Sequence, residues 1–423
     1  MPDQEMHGGS LAPTPTHIPE KLVYPFDMFH DEAIQRDPHA RVADLVRNAP
    51  PIFWTPHNGG HWVFTSYEAN FEAARNTELF SSAIMPPEMA AGMHANLPPG
   101  TPRIPRLVPI FLDPPEHEKY RAPLASSFSP RTMSALQDQI RALARDLIRK
   151  VADSGGCEFM SAIAVPLPVH LFLQMMGLPL DRMHEYRGLA NEMIGGAGDP
   201  PDVLMRRTFR ILAAMRDTIL ARQEEPRDDL ISLLWSLEIE GRKTTIDDVE
   251  DFSLLLFLAG LDTVMNAIGY AARHLAMDTE LQQRLRAEPG LIAEAKEEML
   301  RLYSFVSPPR RATRDDAFLG IDMKANDMVV LFLPGAGIDP RRYDKPGELN
   351  LNRPNRSHLA FNSGPHRCLG ANLARIELQI VYEELLAGLP QFRLDTENPP
   401  EFACGQNLGI ASLHLRWDGA SSP

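Results

Sequence analysis

The chain has 423 residues, 44% hydrophobic and 23% charged, an ordinary balance for a globular protein. Its net charge of −14, with no basic tail, argues against nucleic-acid binding by phosphate neutralisation and against attraction to an anionic membrane surface. Three cysteines, Cys157, Cys368 and Cys404, are too few for a disulfide framework and fit a reducing cytoplasm.

No repeat, low-complexity linker or long charge block divides the sequence, so residues 1–423 are expected to form one large unit. Residues 1–25 are polar and rich in proline, without the apolar core of a signal peptide or anchor, and read as an irregular extension. Residues 62–65 read as a strand and 67–75 as a helix. Between 85 and 115 proline and glycine are too frequent for long regular structure. Helical periodicity follows over 129–151, where a Ser-Pro pair suits a first turn. It returns over 165–176, 201–223, 246–277 and 290–302, and strand signals appear at 328–333 and 411–417. The expected fold class is therefore mainly α with a minor β region. The longest uninterrupted apolar stretch, 252–261, is too short to span a bilayer and runs into Asp262.

The run Phe361-Asn-Ser-Gly364-Pro-His366-Arg-Cys368-Leu-Gly370 has the composition to hold one sulfur under a metal. A thiolate ligand needs hydrogen-bond donors and nearby positive charge, and glycine lets backbone approach a flat cofactor. A lone cysteine is ordinarily a small buried hydrophobe, and only the flanking residues argue otherwise. The next segment, Ala371-Asn-Leu-Ala-Arg-Ile-Glu, is helical in period and is expected to start on the cysteine, where the helix dipole favours a thiolate.

This run resembles the haem-binding loop of the cytochrome P-450 superfamily, at Phe361, Gly364, His366, Cys368 and Gly370. The position after Phe361, often glycine in that family, is Asn362. The resemblance implies haem b as cofactor, Cys368 as the axial iron ligand, and O2 as co-substrate. The stretch Ala259-Gly260-Leu261-Asp262-Thr263 would otherwise be a kinked core helix with a salt-bridged acid. It is similar to the family's oxygen-handling motif. On that likeness Ala259 and Gly260 form an oxygen groove, Thr263 steadies the activated dioxygen, and Asp262 relays protons from solvent.

Glu298 and Arg301, three apart on one helix face, resemble the family's structural Glu-x-x-Arg pair, with Arg353 as a third member. The haem propionates want cationic partners, and the resemblance points to His117, Arg121, Arg310 and His366. An electron donor is expected near Cys368, where Arg75, Lys119, Arg121, Arg367 and Arg375 gather by segment, with Glu118 among them. The expected donor is a small acidic iron–sulfur ferredoxin with a separate reductase, since no flavin or nicotinamide fingerprint is present.

The likeness extends to the bacterial camphor-hydroxylase branch, through Phe80-Ser-Ser82, Asp113-Pro-Pro115 and Trp417-Asp418. It implies a cytoplasmic monooxygenase for a small apolar cyclic terpenoid. Residues 83–112 contain no tyrosine to orient a ketone, and Pro308 replaces an acid, so an ionone-like norisoprenoid is expected ahead of camphor. Leu255, Ala259, Gly260, Val306 and residues 406–409 are the expected pocket, with His94 as a possible polar contact. Competing readings are a peroxide-using or isomerising haem-thiolate protein, a haem sensor or carrier, and a helical protein with an inert cysteine.

Overall fold

The computed structural model describes residues 11–86, 89, 103–195 and 199–418. Its spine is the central helix Ile246–Met277, 32 residues and about 48 Å long at the α-helical rise. Thr245 and Asp248 cap its start reciprocally, the Thr245 N–H donating to Asp248 Oδ2 at 2.8 Å. By length and composition this helix could cross a bilayer, although its longest unbroken apolar run is short. It is instead packed among Pro166–Met176, Pro201–Glu224 and Ala371–Gly388. Its buried Asp248, Glu250, Asp251 and Arg273 are ion-paired with Arg242, Arg216, Arg103 and Asp37, and Asp262 accepts from Asn407.

The largest β element is a five-stranded sheet in the order Ile52–Thr55, His61–Phe64, Met328–Leu331, Pro309–Ala312, Phe80–Ser81. Met328–Leu331 runs parallel to His61–Phe64, with Val330 opposite Val63, and antiparallel to Pro309–Ala312, with Val329 opposite Arg310. The strands are buried runs of β-branched and aromatic residues because one side packs on the helical core and the other on a second cluster around Trp62, Phe64 and Phe80. Smaller antiparallel pairs include Glu401–Ala403 with Gly409–Ser412.

The segment expected as one helix over 129–151 is two, Pro130–Ser134 and Gln137–Ala152. Helices Pro38–Asn48, Met183–Gly195, Leu230–Ser236 and Thr279–Ala287 were not expected from periodicity. Within the expected irregular stretch, 108–111 forms a turn, and a helix begins just past it at Glu116. His94 lies outside the described residues.

Candidate haem site

The cysteine loop is shaped by two residues with left-handed backbone. Asn362 has φ 59° and Gly364 φ 68°. Asparagine is the residue after glycine that best tolerates this region, which explains the departure at 362. A Cβ on Gly364 would stand 2.5 Å from the Ala74 carbonyl, so the loop lies directly against the helix Tyr67–Arg75. The Cys368 N–H closes the loop onto Phe361 O at 2.9 Å. The following helix begins at Ala371, three residues beyond the cysteine and not on it.

Cys368 is exposed by surface area yet enclosed by protein. An internal opening in front of the sulfur reconciles the two. At Gly370 the only neighbour within 4 Å of an added Cβ is Cys368 Sγ itself, at 4.0 Å, so the space beside the sulfur is open. Burial pushes the thiol up, while the Gly370 N–H and Arg121, Arg367 and Arg375 favour the thiolate. Cys157 and Cys404 are also free thiols, raised by burial to about 12 and about 11.

Two further elements bring basic side chains to this loop. His117, on Glu116–Ala125, is 1% exposed, and neither ring nitrogen has a partner among the described residues. Its ring centroid lies 4.3 Å from that of His366, whose Nε2 is also buried without a partner. Arg310, on the strand Pro309–Ala312, is buried with Nε unpaired. Burial pushes His366 down to about 3, reinforced by Arg310, His117 and Arg121. Burial likewise lowers Arg310 to about 10, with Asp113 the one charge opposing it. Asp113 is itself engaged by Ser81 Oγ and by the Ser82 N–H at 2.8 Å. Arg121 donates to Arg367 O on the cysteine loop, so its charge also reaches this space. Buried nitrogens left without partners among the described residues, beside two arginines, can receive an anion that would also favour protonating the imidazoles.

Along the central helix, Leu255 and Thr263 are half-buried and Ala259 is exposed, although Leu254, Leu256, Phe257, Leu261 and Asp262 around them are buried. The spacing of four puts Leu255, Ala259 and Thr263 on one face, which therefore borders an internal space. Thr263 Oγ1 donates to Ala259 O at 3.2 Å. Gly260 faces elsewhere: a Cβ there would stand 2.4 Å from the Phe172 ring on Pro166–Met176. Its smallness admits that ring. Asp262 is not salt-bridged among the described residues. Its Oδ2 accepts from Asn407 Nδ2 at 3.2 Å, and burial raises its carboxyl. Val306 is half-buried and pairs with Asn407 through an isolated β-bridge.

Glu298, Arg301 and Arg353 form a buried cluster. Arg301 Nε donates to Glu298 Oε1 at 2.9 Å, and Arg353 Nε to Glu298 Oε2 at 2.9 Å. Arg301 also donates to the carbonyls of Gly337, Pro346 and Glu348, tying the chain before the cysteine loop to the helix Ile292–Leu302. Among the residues expected to meet an electron donor, Arg75 and Arg367 are exposed, as is Glu118. Lys119 is paired with Glu240 at 2.7 Å. Arg375 is committed to Glu297 at 2.9 Å and lies 4.5 Å over the Phe361 ring. These latter two present less free charge than the sequence suggested.

A haem fits this arrangement. The orphaned cations match two propionates, the cradle at Gly370 leaves room beside the sulfur, and the donors around Cys368 suit a thiolate ligand. The comparisons agree. A family model described as Cytochrome P450 matches residues 203–412. A relative named "Probable cytochrome P450 127A1" from Sinorhizobium fredii is 34% identical, covering 96% of this chain and 97% of its own. A "Steroid C26-monooxygenase" from Mycolicibacterium smegmatis is 30% identical over 84% of this chain and 86% of its own. Among solved structures, CYP101J2 superposes with TM-score 0.84 at 31% identity, covering 96% of this chain and 100% of that one. The enclosed cysteine, its anion receptor and these likenesses lead to one conclusion: the chain belongs to the cytochrome P450 family, haem enzymes with an axial cysteine thiolate that use O2.

Proposed function

We propose that this enzyme hydroxylates a small apolar cyclic terpenoid or norisoprenoid of ionone type, fed with electrons by a small acidic ferredoxin in the cytoplasm. The net reaction consumes substrate, O2, two electrons and two protons, and yields the alcohol and water. Haem, when bound, supplies dioxygen binding and activation. Cys368 would hold its iron, and His117, His366, Arg121 and Arg310 would bind its propionates. Leu255, Ala259 and Val306 form an apolar wall that orients the substrate and excludes water. The Thr263 hydroxyl, beside that wall, exchanges its bond to Ala259 O for one to the oxygen site. Asp262 passes protons toward it.

The observation that carries this reading is that both His117 ring nitrogens, His366 Nε2 and Arg310 Nε are buried without partners among the described residues, in the fold that encloses the surface-accessible Cys368. The apolar face of the central helix and the tyrosine-free segment 83–112 support an apolar substrate without a fixed phenolic anchor. The purified protein, reduced under carbon monoxide, should show the red-shifted absorption band of a thiolate haem, and Cys368→Ser should abolish it. A wild-type spectrum without that band sinks the proposal. Thr263→Ala should divert reducing equivalents to peroxide, and a panel of terpenoids, norisoprenoids and steroids, read by spin-state change, identifies the substrate class.

A further inference from the structure

The chain segment 405–410 is fastened on two sides. Toward 305–307, Ser307 N donates to Gln406 O and Leu408 N to Phe305 O, each at 2.9 Å. Toward the central helix, Tyr270 Oη donates to Leu408 O at 2.9 Å, and Ile410 N donates to Asn266 Oδ1 at 3.0 Å. Asn407 Nδ2 donates to Asp262 Oδ2 at 3.2 Å. Asp262, Asn266 and Tyr270 are spaced by four and share one helix face, adjoining the face of Thr263. A single loop is thus laced along the helix that carries the acid. At the same time Asn407 pairs with Val306, which borders the expected substrate space.

The donors matter by their kind. A buried carboxylate beside arginine or lysine is held firmly ionised and in place. Asp262 has no such partner among the described residues. Asn266 adds only a long contact to Oδ2 at 3.5 Å and spends its better bond, 3.1 Å, on the Asp262 carbonyl. Asn407 therefore supplies the one well-made side-chain bond to the carboxylate, from a residue 145 positions away on a different wall. A neutral amide orients the acid while leaving it able to take up and release a proton.

We propose that Asn407 is a positioning residue for proton delivery, aiming the Asp262 carboxylate and coupling the substrate-bordering loop to it. This rests on the reading of Asp262 as the proton relay. The test measures turnover, coupling and the solvent deuterium isotope effect in Asn407→Leu, Asp262→Asn and the double variant, with Asn407→Gln as a donor-retaining control. In Asn407→Leu turnover should fall about tenfold, the scale of one lost hydrogen bond to an ionised group, with an enlarged isotope effect. The reduced–carbon monoxide band should stay unchanged, so that the fall in turnover is read on an intact thiolate haem. Asn407→Gln should recover most of the rate, and Asn407→Leu should add nothing on the Asp262→Asn background. A slowed Asp262→Asn beside an unaltered Asn407→Leu overturns this inference alone. An Asp262→Asn variant with normal turnover and isotope effect overturns the relay reading beneath it.

Discussion

The rings of His117 and His366 meet at a centroid distance of 4.3 Å, and His117 Nδ1 and Nε2 and His366 Nε2 are all buried without a partner. With Arg310 beside them, the fold holds cation-forming groups against one another and against burial. Such an arrangement is unfavourable by itself and becomes favourable around a dianion.

Arg310→Leu should therefore act in opposite directions on the two forms of the protein. The haem-free protein should melt higher, because an unpaired buried guanidinium is gone. The haem-loaded protein should lose haem to a scavenger apoprotein faster by about tenfold or more, the loss of a charge-assisted hydrogen bond. A change of the same sign in both forms would assign Arg310 to packing.

Glu377 is 2% exposed, its Oε2 lacks a partner, and burial pushes its carboxyl up to about 8. Between the ordinary value of 4.5 and about 8 the folded chain keeps a proton that the unfolded chain has released. The folded state binds more protons there, so stability falls as pH rises through that window. Glu377→Gln should raise the melting midpoint by a few degrees at pH about 8 and hardly at all at pH about 5. Equal shifts at both values would refute the charge explanation.

Arg367 is exposed beside Cys368, whereas Lys119 and Arg375 are held by Glu240 and Glu297. Arg367→Glu should slow association with an acidic ferredoxin about tenfold at low ionic strength, measured by stopped-flow reduction, and the difference should shrink in high salt. A salt-independent defect would point to damage at the cysteine loop instead of lost steering.

The central helix was legible to the residue, because a helical pattern over 246–277 is bounded by caps at Thr245 and Asp278. The Glu298–Arg301 pair was equally visible, since spacing of three fixes a shared face whatever the fold. The break at Ala135 and Leu136 was not, because a helical pattern continues across it and only tertiary contacts decide where the axis turns. The Asn407–Asp262 bond and the Phe172 ring over Gly260 were also hidden. Each joins segments far apart in sequence, and neither asparagine nor phenylalanine announces its partner. Sequence spacing carries faces of one helix well and carries the identity of what lies behind them poorly.

Phe172 occupies the volume that any side chain at 260 would need. The helix that carries Ala259 is thus seated against an aromatic ring on the helix behind it. On the proposed function, where Ala259 borders the substrate, trimming that ring would move the wall from behind. Selectivity would then be open to change from a neighbouring helix.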